Sequence, residues 1–217
     1  MIEYFLTVAP VASIIFVVTI AISLLAFSNE KLYGELMLHP YSVARGQKIW
    51  TVITSGFIHK DWGHLLFNML SYFFFAFKLE DTIGHWQFGL LYMASLVLSD
   101  MPTIGKHKED HWYHSLGASG AISAVLFSYI LFYPKAIMYI FPIPFGMWAI
   151  LYGVLFLAYC AYASRQSRDS INHDAHFYGA LSGIMITILL YHEVIGIFLE
   201  QMRGWEREYK IKNTESR

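Results

Sequence analysis

The chain alternates between six long apolar stretches without any charged side chain and polar segments that contain the charges. Each stretch is 16 to 29 residues long. A helix needs about 20 mostly apolar residues to cross the hydrocarbon core of a bilayer. The pattern therefore predicts six membrane-spanning helices joined by polar connections. The uncharged stretches are residues 4–29, 62–77, 82–99, 111–134, 136–164 and 175–192.

Prolines and polar residues set the predicted ends of these helices. Pro134 ends the fourth helix, and Pro142 with Pro144 interrupts the pattern before the fifth, because proline lacks the N–H that a helix interior needs. The opening segment MIEYF has no Lys or Arg, so we expect a retained membrane helix and not a cleaved signal peptide. The predicted helices cover about residues 5–28, 63–79, a third stretch ending near residue 100, 117–134, 145–163 and 175–199.

The connections differ in character. The first, residues 29–61, combines charged residues with an apolar run around Trp50, so we expect it to lie against the bilayer surface or to dip into the protein. The residues from Gln201 onward mix charges of both signs and predict a solvated tail. We therefore expect one membrane domain, residues 1–200, and a short polar tail, residues 201–217.

Composition supports this interpretation. Apolar residues make up 56% of the chain and charged residues only 14%, against about 25% charged residues in soluble domains. These values exclude a soluble or disordered chain. The net charge of −1 argues against a nucleic-acid partner, and Cys160, the single cysteine, cannot form an internal disulfide. We expect a multi-pass protein of the cell membrane whose partner is the lipid bilayer; the sequence leaves its orientation and oligomeric state open.

Four uncharged polar side chains are predicted to meet at one depth in the membrane. Successive spans alternate in direction, so the second, fourth and sixth helices begin on the same side. Their first turns contain His64 and Asn68, Ser119, and His176 respectively. His64 and Asn68 are four residues apart and share a helical face. Polar groups are costly in hydrocarbon, so their convergence predicts a functional site.

Small residues surround these positions on the fourth and sixth helices. They let two helix backbones approach closely in lipid, which is what a hydrogen bond of about 2.6–3.2 Å between a serine and a histidine requires. The glycines that we expect to support this approach are Gly117, Gly120, Gly179 and Gly183.

Three motifs in these helices resemble the signatures of the rhomboid intramembrane serine proteases. They are HLLFN at residues 64–68, GASG at 117–120 and AHFYG at 175–179, in the family's order and on its second, fourth and sixth helices. The resemblance covers about residues 5–199 and implies an all-α membrane protein, a six-transmembrane-helix rhomboid-like bundle.

The resemblance also implies an activity: cleavage of transmembrane protein substrates in or next to their membrane segments, without a cofactor or a metal ion. Ser119 would attack the peptide carbonyl, and His176 would take the serine proton and pass it to the leaving amine. His64 and Asn68 match the residues that donate hydrogen bonds to the oxyanion. By analogy with the family, substrate enters laterally beside the fifth helix and the connection 164–174.

The chain departs from the family pattern at two positions. Many relatives carry an aromatic residue four positions after the nucleophile, against which the catalytic imidazole stacks; here that residue is Ser123. Asn172 or Asp174 is then a candidate for orienting His176. The first connection usually contains Trp-Arg, whereas this chain has Trp50 followed by Thr51.

Two other classes of function are open alternatives. A metal-dependent membrane hydrolase would use His173, His176 and Asp174, with His59 or His64 completing the ligand set. The HExxH motif is absent, however, and a metal site leaves GASG unexplained. A non-catalytic rhomboid-like protein would bind membrane clients, but such relatives typically lose the serine or the histidine, and this chain has both.

Overall fold

The predicted helices are present, with additional short elements between them. The computed structural model describes residues 2–139, 145–166 and 171–215, and of these the side chains of residues 5–204. The prolines at 142 and 144 and part of the connection 164–174 lie outside the described residues. The helices are α1 (Ile2–Val8), α2 (Pro10–Phe27), α3 (Glu30–Leu36), α4 (Pro40–Val43), α5 (Thr51–Thr54), α6 (Trp62–Ile83), α7 (His85–His107), α8 (Ser119–Phe132), α9 (Ala149–Gln166), α10 (His173–Leu190) and α11 (Val194–Glu215).

Two of these helices are long and apolar enough to cross a membrane on their own, α2 and α7. A third span results if α10 and the first part of α11, which bend by 106° at their junction, count as one broken span. Within the described part of the chain, length and hydropathy thus support a membrane protein with two or three spans. The predicted count of six remains a prediction.

The first and sixth predicted helices are both divided. Pro10 starts α2, and α1 ends two residues earlier, because proline has no N–H to continue the helical hydrogen bonding. The predicted sixth helix, residues 175–199, is interrupted after Leu190, and α11 continues from Val194 through the predicted start of the tail at Gln201. The apolar pattern continues across both breaks, so hydropathy alone did not reveal them.

A fully buried carboxylate joins the first break to the bundle. Glu80 of α6 accepts hydrogen bonds from the backbone N–H groups of Val11 (3.1 Å) and Ala12 (2.5 Å) and pairs with the Nδ1 atom of His85 at 2.7 Å. The first N–H groups of a helix have no acceptor within the helix, and the positive end of the dipole favours an anion there. Glu80 therefore caps α2 from a neighbouring helix.

The protein is built around α8. This helix contacts α6, α7, α9, α10 and α11, and every residue from Gly120 to Ser128 is buried. A helix that is apolar on all sides fits such a central place. Its central position leaves the N-terminal residue, Ser119, only partly exposed, at the edge of the buried core.

Small residues allow α10 to pack directly on α8. A Cβ atom on Gly179 would overlap the backbone carbonyl of Gly120, and one on Gly183 would overlap that of Ala124. A Cβ atom on Gly120 would in turn overlap the side chain of Ser99 from α7. The backbones of the two helices thus approach more closely than side chains at these positions would allow.

The first connection dips into the protein. Thr51, Ser55 and His59 are buried, and His59 Nδ1 lies 2.9 Å from the hydroxyl of Ser23 on α2. Burial first, and the neighbouring His64 second, lower the pKa of His59 to about 3. His59 is therefore a neutral structural residue at physiological pH.

Arg45 anchors the same connection at the end of α7. Its guanidinium donates to the carbonyl of Lys108 at 2.8 Å and pairs with Glu109 at 2.9 Å. This link joins the first connection, a few residues before Trp50, to the loop that leads toward Ser119.

Two short paired strands lie between α8 and α9. The all-α prediction did not include them, and the second strand takes residues 146–148, where the fifth helix was predicted to begin. Strands β1 (Ile137–Tyr139) and β2 (Gly146–Trp148) are antiparallel, with Met138 opposite Met147. Pro134 ends the helical hydrogen bonding just before β1, so the apolar segment that follows is free to pair as strands.

Candidate active site

Ser119 is the first residue of α8, and the loop before it is held in place by backbone contacts. Gly117 has φ +117°, a conformation that other residues rarely adopt, and its N–H donates to the carbonyl of Ser55 at 2.9 Å. Ala118, at the helix N-cap, makes no side-chain hydrogen bond. The N–H groups of the first turn around Ser119 therefore have no side-chain acceptor from the N-cap residue.

His176 lies in the first turn of α10, and Asn172 fixes the start of that helix. The Asn172 side chain accepts from the N–H of Ala175 at 3.0 Å and donates to the hydroxyls of Thr103 (3.0 Å) and Ser115 (3.1 Å). Asn172 thus connects α10 to α7 and to the loop before Ser119. It orients the helix that carries His176.

Asp174, the other residue considered for orienting His176, has a different partner. Its carboxylate pairs with the Nζ atom of Lys106 on α7 at 2.7 Å. This ion pair is partly exposed, so it contributes little to stability. The ion pair connects the C-terminal end of α7 to the N-terminal turn of α10.

His64 and Asn68 lie on one face of α6, as their spacing predicts. The Asn68 side chain is buried and donates from Nδ2 to the carbonyl of His64 at 3.1 Å. The His64 ring lies beside Gly117, where an added Cβ would be only 2.7 Å from its Cε1 atom. Gly117 therefore makes room for an imidazole and not for a neighbouring helix, which differs from the predicted role of this glycine.

One cavity of about 1100 Å³ is lined by all four predicted polar residues, His64, Asn68, Ser119 and His176. Exposed residues of the connections, including Lys60, also line it. The cavity therefore connects the interior residues to the solvent-facing side of the protein.

The surroundings of His176 include an aromatic ring that sequence reasoning missed. The Phe156 ring, on α9, lies 6.2 Å from the His176 ring between centroids, at an interplanar angle of 25°. Ser123 has no ring to stack, and its hydroxyl donates to the carbonyl of Ser119 at 2.8 Å. The aromatic partner of the imidazole thus comes from α9 and not from α8. Nothing in the local sequence around Phe156 indicated this contact.

A second residue of α9, Cys160, also lies near the site. Ligand atoms of Cys160, His173 and His176 all lie within 4.8 Å of one another. Of the metal ligands considered from the sequence, Asp174 and His59 are not in this group, since Asp174 pairs with Lys106 and His59 with Ser23. The ligand set considered for the metal-hydrolase alternative is therefore not the one that the described residues bring together, which contains the cysteine beside His173 and His176.

Comparison with known families identifies the family of the chain. The rhomboid domain matches residues 46–193, which is well over half of the chain and contains all four polar residues of the cavity. The chain belongs to the rhomboid family. This confirms the family that the three motifs predicted, and it makes the chain an integral membrane protein.

Several known rhomboids are similar to this chain. Over 150 residues it is 31% identical to "Rhomboid protein 1, mitochondrial" of Saccharomyces cerevisiae, covering 62% of this chain and 40% of that protein. It is 26% identical over 172 residues to "RHOMBOID-like protein 12, mitochondrial" of Arabidopsis thaliana, with coverages of 71% and 50%. It is 32% identical over 151 residues to "Putative rhomboid protease YdcA" of Bacillus subtilis, with coverages of 68% and 69%.

The match to the two mitochondrial rhomboids spans about half of their length or less. Because relatives from mitochondria and from a bacterium are both similar, the predicted location in the cell membrane stays a prediction.

Proposed function

We propose that this rhomboid is an intramembrane serine endopeptidase that cleaves transmembrane protein substrates with a Ser119/His176 dyad. The observation that supports the proposal most is the shared cavity: Ser119, at the N-terminus of the buried helix α8, and His176, on α10, both line it. The two helices that carry these residues are in backbone contact close to both of them.

In the proposed reaction, the His176 imidazole accepts the proton of the Ser119 hydroxyl while the serine oxygen attacks the substrate carbonyl. The protonated imidazole then donates that proton to the leaving amine as the C–N bond breaks. Water next attacks the acyl-enzyme, with His176 again accepting a proton, and Ser119 is regenerated. The mechanism uses no cofactor.

Two groups of donors serve the oxyanion that forms on the carbonyl oxygen when Ser119 attacks the carbonyl carbon. The first turn of α8 offers backbone N–H groups at the positive end of the helix dipole. Asn68 and His64 provide side-chain donors from the facing wall of the cavity. The Asn68 amide donates to the carbonyl of His64 in its own helix. We therefore expect the amide to rotate toward the oxyanion when substrate binds.

The length of α8 supports a reaction below the membrane surface. A helix of 14 residues is about 21 Å long, which is shorter than the hydrocarbon core of about 30 Å. If α8 crosses the inner part of the bilayer, its first residue lies beneath the headgroups, and water reaches it through the cavity. Hydrolysis then occurs at the depth of a substrate's membrane segment.

The apolar character of the exposed side chains supports six membrane-spanning helices. Large apolar side chains are exposed along α6, such as Phe67 and Phe74, and along α9, such as Val154 and Leu155. Such surfaces suit contact with lipid tails. In the proposed arrangement six helices cross the membrane: α2, α6, α7, α8, α9 and α10. Substrate enters the site beside α9. A crosslink between α6 and α9 should therefore block substrate entry. Unchanged cleavage in the crosslinked protein would contradict this route.

The test of the dyad is cleavage of a transmembrane test substrate by purified protein in detergent or liposomes. We expect Ser119→Ala and His176→Ala each to abolish cleavage. Ser128→Ala, a buried serine on the same helix, and His111→Ala, in an exposed connection, are matched controls that should retain it. Cleavage by either dyad variant would disprove the assignment. Binding of substrate without cleavage by the parent would favour the non-catalytic alternative.

A further inference from the structure

Three side chains that commonly bind metal ions meet at the edge of the proposed site. His173 and His176 lie three residues apart on α10 and share a face, and Cys160 reaches the same point from α9. Their ligand atoms lie within 4.8 Å of one another. Cys160 is 1% exposed and His173 is 4% exposed, so both side chains are held by the surrounding packing.

The chemistry of this group suits a zinc-like divalent ion. Thiolate sulfur and imidazole nitrogen are the ligands that zinc prefers, with bonds of about 2.3 Å and 2.0–2.1 Å, which puts tetrahedral ligands about 3.5 Å apart. The three ligand atoms need to approach by about 1.3 Å at most to reach this spacing. Small side-chain rotations can supply such a shift, and a fourth position stays open for water.

An ion can reach the group through the cavity. His173 and His176 line the cavity, as do Phe156 and Ala163 of α9. Cys160 lies four residues after Phe156 and three before Ala163, so the three residues share one helical face. The face of α9 that carries the thiol is thus the face directed at the cavity.

We propose that Cys160, His173 and His176 bind a zinc-like divalent ion and that this binding inhibits the protease. The inference rests on the proposed function for its inhibitory effect, but not for the binding itself. On binding, the Cys160 S–H bond breaks, its proton passes to solvent, and a sulfur–metal bond forms without any change in oxidation state.

Inhibition follows from the chemistry of imidazole. A neutral imidazole has one nitrogen with a free lone pair and one that carries a proton. Coordination of a metal ion occupies that lone pair, whichever nitrogen it is on, and leaves only an N–H donor. His176 bound in this way cannot accept the proton of Ser119.

The experiment measures inhibition and binding separately. Cleavage of a transmembrane test substrate is followed while Zn²⁺ is added to the parent, to Cys160→Ala and to the control His111→Ala. We expect Zn²⁺ to inhibit the parent and His111→Ala equally. Cys160→Ala should cleave normally without metal and need at least about tenfold more Zn²⁺ for half-inhibition, because even ligands outside the first coordination shell change affinity 10–100-fold.

Binding is measured with Co²⁺, whose thiolate complex absorbs in the near ultraviolet. Cys160 is the single cysteine, so a thiolate–cobalt band has one possible source. We expect the band in the parent and in the inactive Ser119→Ala variant, and not in Cys160→Ala. If the parent cleaves no substrate but shows the band, the proposed function fails and the metal site stands. Absence of the band in the folded parent, or equal Zn²⁺ inhibition of parent and Cys160→Ala, would overturn the metal site.

Discussion

The contact between α8 and α10 gives a sharp test of how the two proposed catalytic residues are held together. A Gly179→Ala substitution adds one methyl group where the backbones meet. The new Cβ would lie 2.8 Å from the carbonyl carbon and 3.0 Å from the Cα atom of Gly120. Ordinary carbon–carbon contacts are about 3.5–4.0 Å, so the two helices must move apart by roughly 1 Å.

This displacement occurs next to the proposed dyad. Gly120 follows Ser119 directly, and Gly179 lies three residues after His176. A shift of about 1 Å in the position of catalytic groups lowers the rate by about 100-fold. The overlap should also lower the free energy of unfolding by about 1–3 kcal/mol. The higher helix propensity of alanine, about 1 kcal/mol better than that of glycine, offsets part of this loss.

Two matched substitutions separate the effects on stability and on catalysis. Gly105→Ala, on α7, adds a methyl group that meets nothing within 4 Å, so it should keep both activity and stability. Gly183→Ala would place its Cβ 2.8 Å from the carbonyl carbon of Ala124, one helical turn further from the dyad. We expect it to lower stability as much as Gly179→Ala but to lower activity less.

The assay compares kcat/KM for a transmembrane substrate with thermal unfolding of the purified variants in the same detergent. Activity is measured at a temperature at which every variant is folded. Parental cleavage by folded Gly179→Ala would show that the close contact does not set the geometry of the dyad.

Four further predictions follow from other contacts. Phe156→Ala should lower kcat about fivefold with little change in KM, because an aromatic contact contributes about 1 kcal/mol, whereas Phe156→Tyr should keep it. Asn68→Ala should lower kcat about 10²–10³-fold if its amide serves the oxyanion, and parental kinetics would exclude that role. Glu80→Ala should lower the free energy of unfolding by at least about 2 kcal/mol, since it leaves the N–H groups at the start of α2 without their acceptor; unchanged thermal unfolding would contradict the capping role. His59, with its pKa lowered to about 3 by burial, stays neutral in the folded state while the unfolded chain protonates it below about pH 6.5. As pH falls from about 6.5 toward 3, the free energy of unfolding should therefore decrease by up to about 1.4 kcal/mol per unit, and His59→Gln should reduce this slope in thermal unfolding.

Much of the candidate site could be predicted from the sequence because its residues occur in motifs with helical spacing. His64 and Asn68 share a face of α6, Ser119 begins α8, and His176 lies in the first turn of α10. Local spacing fixes which face a residue occupies, and the prediction that successive helices alternate in direction indicated which helix ends lie together.

Contacts between positions far apart along the chain could not be predicted in this way. Phe156 and Cys160 are ordinary members of an apolar stretch, and nothing local indicates that they lie beside His176. The same holds for Glu80, which caps a helix that begins 70 residues earlier. Each of these contacts depends on how α9 and α6 pack against their neighbours.

The sequence by itself determined that this is a membrane protein of the rhomboid family and which four polar residues form its candidate site. Uncharged stretches and motif spacing are local properties, and they are set by the amino acids alone. Only the tertiary structure decided what surrounds His176 and how closely α8 and α10 approach. Those features depend on the shapes of packed helices, which small residues such as Gly120 and Gly179 permit but do not specify.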